Sequence, residues 1–164
     1  MLNFPGFLVS NGTLPSALAE LTEEPTQLYI SVYAPDEETY KRACRPQISR
    51  GWEKLNDTLS LLPSFKCPTV MRITSVRGLN MKNPKEYAGL IEKADPTYVE
   101  AKAYMNVGFS RLRLDYDAMP SHSEIRRFSA QLANETGHNP IDESPESRVV
   151  LLSKCKKPTK FCND

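Results

Sequence analysis

The sequence predicts an α/β fold in which parallel strands alternate with helices that cover the sheet. Short strand-like segments are each followed by a segment with helical caps or helical apolar spacing, as in right-handed β–α–β crossovers. The apolar stripes of the helices must cover one face of the sheet, which leaves charged side chains on the other face. A flat sheet open to water satisfies this pattern, as does an open barrel with a polar, ligand-filled interior. Compensating charges on neighbouring strands favour the barrel, because a buried unpaired charge is costly.

Size and charge set broad limits on function. The chain has 164 residues, and its 21 Lys and Arg nearly balance its 20 Asp and Glu. One domain, or a piece of a larger one, is therefore expected, and bulk charge does not predict nucleic-acid binding. No apolar run reaches the length of a membrane span, and the first ten residues lack the pattern of a signal peptide. We expect a cytoplasmic protein that makes no contact with a membrane.

The first two strands are short and bounded by turn residues. Residues 7–10 predict an apolar strand, Asn11 opens the turn after it, and Pro15 suits the first turn of a helix. This strand has only six residues before it, so we expect that an element it should follow is missing. Residues 27–33 predict a second strand, and two helices follow at about residues 36–45 and 50–62.

The next two strands carry the charged residues. Residues 69–77 predict the third strand, and a helix from Asn83–Pro84 leads to the fourth, which begins at Tyr98. Strand side chains alternate between faces. The resulting polar face carries Ser31, Tyr33, Arg72, Thr74, Glu100 and Lys102. The charged members are either substrate-positioning groups or a buried ion pair that fixes the strand, with Lys102 expected beside Glu100.

A long loop separates the fourth strand from the last helix. Residues 106–120 carry Arg111 and Arg113, which are interpreted either as phosphate contacts or as ordinary surface charges. Ser121 to Glu124 form a capping box that opens a helix ending near Gly137, and residues 148–153 predict a final strand. His122 lies inside the capping box, so it is interpreted as a helix-start residue rather than a catalytic base. The same caution applies to His138.

The four cysteines show no metal-binding pattern. They are Cys44, Cys67, Cys155 and Cys162, and none of them forms a CxxC pair. Scattered cysteines in a cytosolic protein are usually free thiols. We therefore expect no metal site and no iron–sulfur cluster in this chain.

Several segments together resemble a known family. They are FLVSNGTLP, TQLYISVYAPDEETYKRACRP, RITSVRGLNM, YVEAKAYMNVGFSRLRL, MPSHSEIRRF and DESPESRVVLLS. Over nearly all of its length the chain is similar to the carboxyl-terminal half of the archaeal radical S-adenosylmethionine tRNA wyosine synthases, the 4-demethylwyosine synthases. The SNG turn is a weak signal alone. EAKAYMNVGFSR followed by MPSHSEI and DESPESRVVLL is more specific and resembles the region of this family that forms the wyosine base.

The resemblance implies a fold and a division of the chain. Residues 1–118 would be the second half of an incomplete (βα)6 radical S-adenosylmethionine barrel. Residues 119–153 would be the wyosine-base-formation extension, made of a helix and a strand, and residues 154–164 a charged tail. In the family, a four-iron four-sulfur cluster on a CxxxCxxC loop cleaves S-adenosylmethionine. The radical attacks pyruvate, and a two-carbon unit joins N1-methylguanosine beside the anticodon of phenylalanine tRNA.

The resemblance also implies roles for individual residues. Asn11 and Ser31 would contact the cofactor. The substrate would meet Arg72, Glu100 and Lys102, and the tRNA would meet Arg111 and Arg113. No catalytic residue is assigned to this half, because the cluster cysteines and a lysine thought to form a Schiff base with pyruvate lie in the part that is missing. CxxxCxxC is absent, and Tyr33 stands where the family often has an acid. A carboxylate for a ribose contact is therefore missing at this position.

Two functions are consistent with the sequence. In the first, the chain is half of an enzyme, either as a fragment or as the product of a split gene whose partner supplies the amino-terminal half. Alternatively, it is a tRNA-binding fragment or a degenerate paralogue without chemistry of its own. A neighbouring upstream reading frame with CxxxCxxC in a plausible half barrel would favour the first function.

Overall fold

The computed structural model describes residues 5–158 and contains a single mixed sheet with helices. Within these residues six strands and five α-helices follow one another along the chain. They are β1 (Phe7–Ser10), α1 (Pro15–Ala19), β2 (Gln27–Val32), α2 (Glu37–Cys44), α3 (Gly51–Leu61), β3 (Thr69–Ser75), α4 (Pro84–Ala94), β4 (Tyr98–Ala103), α5 (His122–Thr136), β5 (Asn139–Ser144) and β6 (Val149–Ser153). The mixed α/β class expected from the sequence is confirmed. Part of the tail expected at residues 154–164, including Cys162, lies outside the described residues.

The sheet combines a parallel part with an antiparallel hairpin. The strand order is β1-β2-β3-β4-β6-β5, and the first four strands are parallel. β6 runs antiparallel to β4, and β5 pairs antiparallel with β6. The four expected strands and the strand near residue 150 are therefore present, whereas β5 was not expected from the sequence. Five of its six residues are polar or exposed, Pro140 among them, and Ile141 is its one half-buried apolar residue, so β5 lacks the alternation that marks a half-buried strand.

The two faces of the parallel strands differ as the alternation predicts. Leu28, Ile30, Met71, Ile73 and Ala101 are fully buried and form a core with apolar side chains of the helices. The helical members of this core include Leu18 of α1, Leu55 and Leu59 of α3, Tyr87 and Ile91 of α4, and Ile125 and Leu132 of α5. The opposite face carries the polar residues of β2, β3 and β4, and we call it the charged face. Its members are Tyr29, Ser31, Arg72, Thr74, Glu100 and Lys102.

The ends of α5 follow local sequence signals, whereas the start of α4 follows them only in part. At α5, Ser121 Oγ accepts from the backbone N–H of Glu124 while the Glu124 carboxylate accepts from the backbone N–H of Ser121. This confirms the capping box, and Gly137 ends the helix in a left-handed conformation. α4 begins at Pro84 as expected, but Asn83 is left-handed and makes no capping bond. Its side chain donates to Glu86 instead.

A glycine fixes the turn after β1 against α3. Gly12 has φ +71°, and a Cβ placed there would lie 2.8 Å from Leu55 Cδ1. The Gly12 carbonyl accepts a hydrogen bond of 2.8 Å from the buried Thr58 hydroxyl. This close approach sets the position of Asn11, the residue before it. Within residues 5–158, every helix is too short or too polar to traverse a bilayer.

We expect Gly12→Ala to destabilise the chain more than Gly78→Ala does. Both glycines have a left-handed φ, but a Cβ at Gly78 meets nothing within 4 Å. Both variants carry the backbone cost, whereas Gly12→Ala also forces Leu55 aside, at about 1–3 kcal/mol. Urea unfolding monitored by circular dichroism gives the two free energies of unfolding. Equal losses of stability in the two variants would show that the side chain of Leu55 relaxes without cost.

Candidate functional site

A cavity of about 490 Å³ lies at the carboxyl ends of the parallel strands. Parallel α/β sheets place their ligand sites at this edge because the loops after successive strands meet there. The polar side chains that line the cavity include Asn11, Thr13, Tyr33, Tyr40, Thr74, Asn80, Tyr104, Ser110 and Arg113. They come from the ends of β1 to β4 and from the loops and helix that follow. The lining offers both hydrogen-bond donors and aromatic surface to a ligand.

Asn80 holds two strand ends at the edge of this cavity. It is 1% exposed, and its Oδ1 accepts from the backbone N–H of Val76 at 2.7 Å. Its Nδ2 donates to the carbonyls of Tyr33 and Thr74, each at 2.8 Å. Both the oxygen and the nitrogen of the Asn80 amide therefore form hydrogen bonds, which tie the end of β2 to the end of β3. This role was not predicted from the sequence, although a lone amide between apolar Leu79 and Met81 just after a strand was a usable signal.

A bidentate ion pair occupies the centre of the charged face. Arg72 Nε lies 2.7 Å from Glu100 Oε1, and Arg72 Nη2 lies 3.2 Å from Glu100 Oε2. The two residues are direct neighbours in the β3–β4 register, and Ser31 is the neighbour of Arg72 on β2. The Arg72 guanidinium also stacks on Tyr29, 4.6 Å from the ring centroid. Its side chain is 26% exposed and that of Glu100 only 12%, so solvent screens the pair less than it screens a surface pair.

Lys102 lacks the partner that was expected from the sequence. Because the Glu100 carboxylate binds Arg72, the expected Lys102–Glu100 pair is not formed. Among the described residues Lys102 has neither an ion pair nor a hydrogen bond. It is half-buried and lies opposite Thr74 in the register, and Thr74 lines the cavity. The Lys102 ammonium is therefore available to a ligand at this end of the charged face.

The two residues expected at the cofactor site lie in different places. Asn11 lines the cavity, and its Oδ1 accepts from the backbone N–H of Thr13 at 3.1 Å and from the Thr13 hydroxyl at 2.7 Å. This turn leaves Asn11 Nδ2 as a donor without a partner in residues 5–158. Ser31 is 7% exposed and lies on the charged face beside Arg72, outside the cavity lining.

The loop arginines are also separated. Arg111 lies within the 3₁₀ turn at Gly108–Leu112, and Arg113 follows it. Neither forms an ion pair with another described residue. Both are exposed, and Arg113 lines the cavity whereas Arg111 does not.

An ion pair anchors the end of this loop to β3. Arg77, just after β3, donates to the Glu124 carboxylate and, at 2.6 Å, to the carbonyl of Asp117. Arg77 and the capping interactions of Ser121 lower the pKa of Glu124 to about 2. This arrangement fixes the start of α5 beside the strand end from which the cavity is built.

The histidines have structural contacts, consistent with the interpretation from the sequence. His122 is the first residue of α5, and its Nε2 lies 3.2 Å from Glu143 Oε2 on β5. Arg126 contacts the same carboxylate oxygen at 3.2 Å. His138 is buried, and burial lowers its pKa. Neither histidine lines the cavity at the strand ends.

An iron–sulfur cluster does not fit the described residues. Cys44, Cys67 and Cys155 are free thiols, and no group of three or more His, Cys, Asp or Glu among residues 5–158 could hold a metal ion. Burial raises the pKa of Cys44 and of Cys67 to about 11, which disfavours the thiolate that a cluster needs. The expectation of free thiols is confirmed for these three residues.

Comparison with known proteins gives consistent matches over most of the chain. A sequence model of the family described as wyosine base formation matches residues 93–154. The S-adenosyl-L-methionine-dependent tRNA 4-demethylwyosine synthase of Pyrococcus horikoshii is 48% identical over 92% of this chain and 45% of its own length. The enzyme of the same name from Methanocaldococcus jannaschii is 39% identical over 91% of this chain and 46% of its own length. The chain thus spans somewhat less than half the length of these relatives.

Solved structures agree with the sequence matches. A structure of TYW1 with a lysine–pyruvate adduct bound superposes with a TM-score of 0.80 and 37% identity, covering 90% of this chain and 46% of that one. A crystal structure of archaeal TYW1 superposes with a TM-score of 0.72 and 34% identity, and the match covers 90% of this chain and 45% of that one. Coproporphyrinogen III oxidase from Escherichia coli, a radical SAM enzyme, superposes with a TM-score of 0.54 and 14% identity, and the match covers 94% of this chain and 35% of that one. At this identity the match shows a likeness of fold alone.

We expect Glu124→Gln to weaken the dependence of stability on pH in the acidic range. The folded pKa of Glu124, about 2, lies below the ordinary value of 4.5. Its contribution is complete above pH 4.5 and is lost as the pH falls towards 2, when the carboxylate accepts a proton. Melting temperatures between these limits should fall less steeply in Glu124→Gln than in the unsubstituted chain. Glu92→Gln, which removes an acid without an ion pair among residues 5–158, should leave the slope unchanged. Equal slopes in all three proteins would contradict a role for the Arg77–Glu124 pair.

Proposed function

This chain belongs, over the nine-tenths of its length that the matches cover, to the S-adenosyl-L-methionine-dependent tRNA 4-demethylwyosine synthase family, and we propose that it forms the carboxyl-terminal half of such an enzyme. The complete enzyme would act in the cytoplasm and condense N1-methylguanosine beside the anticodon of phenylalanine tRNA with a two-carbon unit from pyruvate. The match to TYW1 bearing a lysine–pyruvate adduct is the observation that carries this proposal. No observation on the described residues favours a non-catalytic fragment.

In this proposal the parallel strands form the second half of an incomplete (βα)6 barrel whose interior is the charged face. Two observations support it. β1 is an edge strand of the sheet, and Phe7 and Val9, in register with Gln27 and Tyr29 on the charged face, are 51% and 54% exposed, as expected of an interior face whose other half is supplied by a partner. Charges on one face of a parallel sheet suit a barrel interior that binds a polar ligand. Residues 1–118 would form the half barrel, residues 119–153 the wyosine-base-formation extension, and residues 154–164 a charged tail.

The cofactors would be shared between the two halves. The four-iron four-sulfur clusters would be bound by the amino-terminal half, since the described residues of this chain do not fit one. S-adenosylmethionine supplies the radical when it is bound and cleaved. Here Asn11 Nδ2 would donate to it from the cavity lining. Ser31 would contact it from the charged face, with Tyr33 in place of the family's acid.

Pyruvate would bind at the end of the charged face that adjoins the cavity. The unpartnered Lys102 ammonium is suited to the pyruvate carboxylate as a point charge. Arg72 and Glu100 would shape the floor of this site as a fixed pair, since each satisfies the other. Arg111 and Arg113 would hold phosphates of the tRNA at the mouth of the cavity.

Reconstitution tests the proposal. The chain would be co-expressed with the cluster-bearing amino-terminal half of the Pyrococcus horikoshii relative, and the nucleosides of phenylalanine tRNA would be analysed. We expect 4-demethylwyosine from the pair and none from either half alone. A correctly paired, cluster-loaded complex without product would favour the non-catalytic alternative.

In the reconstituted enzyme we expect Lys102→Met to lower product formation by about 10- to 100-fold, the value of one charge-assisted hydrogen bond. Release of 5′-deoxyadenosine should persist, because cleavage of S-adenosylmethionine depends on the other half. Lys85→Met is the matched control, since Lys85 lies on α4 away from the cavity. Full product yield from Lys102→Met would remove this lysine from the site.

A further inference from the structure

The loop between β4 and α5 presents an unusual amount of apolar surface to solvent. Val107, Phe109, Leu112 and Tyr116 are 63%, 88%, 81% and 70% exposed. Single exposed apolar residues are normal, but four within ten residues give one loop an exposed apolar character of the kind that marks a binding site. We call these four side chains the loop surface.

The backbone under the loop surface is fixed by hydrogen bonds within the loop. Ser110 Oγ donates to the carbonyl of Val107 at 2.6 Å, and the Tyr104 hydroxyl donates to Ser110 Oγ at 3.1 Å. Asn106 Nδ2 donates to the carbonyl of Leu114 at 2.9 Å. The apolar side chains are therefore displayed from an ordered turn, and a ligand need not order the backbone on binding.

The chemistry of the surroundings favours an unpaired nucleic-acid strand. Arg111 lies between Phe109 and Leu112, Arg113 follows, and residues 107–113 contain no acid. Aromatic rings interleaved with cations are the usual platform for single-stranded nucleic acid, since bases stack on rings and phosphates bind the cations. The nearest acids along the chain are Asp115 and Asp117, which flank Tyr116, so the cations of the loop surface lie on the Phe109 side. Because Ser110, Arg113 and Leu114 also line the cavity, a nucleotide that enters the cavity would place its neighbours on the loop surface.

We propose that the loop surface stacks on unpaired bases of the tRNA anticodon loop, with the 88% exposed Phe109 ring as its platform. The inference rests on the proposed function for the identity of the RNA. Val107 and Leu112 exclude water around the stacked bases, and Arg111 and Arg113 bind the phosphates between them. The competing occupant is the remainder of a longer protein. A protein segment would bind to any apolar side chains of the loop surface, whereas a base requires an aromatic ring on which to stack.

Binding of the full chain to an RNA hairpin with the sequence of the phenylalanine tRNA anticodon arm tests this proposal. Fluorescence anisotropy over a series of KCl concentrations gives both the affinity and its salt dependence. Phe109→Leu keeps the apolar character but removes the ring, so affinity should fall about tenfold while the log–log salt slope stays unchanged. Phe109→Trp should retain or increase the affinity. Replacing both Arg111 and Arg113 by Ala should lower the slope by up to about two units, roughly 0.7–0.9 for each phosphate that is no longer bound.

Controls separate the possible failures. Leu21→Ala, at an exposed apolar residue outside the loop, should bind the hairpin as the unsubstituted chain does. Undiminished affinity in Phe109→Leu, or no hairpin binding by the unsubstituted chain, would overturn the stacking surface and leave the reconstituted reaction as a separate test of function. Equal binding of oligouridine, with the Phe109 effect retained, would support the stacking surface and speak against phenylalanine tRNA as the substrate.

Discussion

The bidentate pair between Arg72 and Glu100 is the interaction on which the layout of this chain depends. Parallel sheets are ordinarily buried on both faces and apolar throughout. Here two neighbouring strands carry a cation and an anion in register, each satisfied by the other, and Tyr29 covers the guanidinium. Removing one partner of such a half-buried pair is strongly destabilising, because the remaining charge is left without its counterion. The intact pair permits one face of the sheet to be charged while the helices cover the other.

From that asymmetry the position of the cavity follows. The charged face leads along β3 and β4 to Thr74 and Lys102, and the chain leaves both strands there in loops that line the cavity. The Asn80 amide fixes the loop after β3 by binding backbone groups, and Gly12 fixes the turn after β1 by admitting close contact with α3. These contacts fix the backbone around the cavity, and the side chains that face a ligand remain available.

The faces of the strands and the capping box of α5 could be predicted from the sequence because both depend on local spacing. β5 could not, since its residues pair with β6 through tertiary context and carry no strand pattern of their own. From the sequence, Arg72, Glu100 and Lys102 were expected to compensate one another on one face, with Lys102 beside Glu100. Only the cross-strand register shows that Arg72 lies directly opposite, where a planar guanidinium can bind both carboxylate oxygens. Asn80 was missed because its role lies wholly in backbone groups of two strands.

In the proposed half barrel, β1 is the strand that the amino-terminal half would adjoin, and the charged face is open on that side. Hydrogen–deuterium exchange on this chain, alone and bound to a cluster-bearing amino-terminal half, tests whether that half completes the barrel. The half-barrel arrangement predicts that the β1 amides directed away from β2 exchange rapidly in the free chain and become protected in the complex. Protection should extend to the loops around the cavity. A stable complex in which β1 exchanges as fast as in the free chain would show that the partner docks elsewhere and would contradict the half barrel.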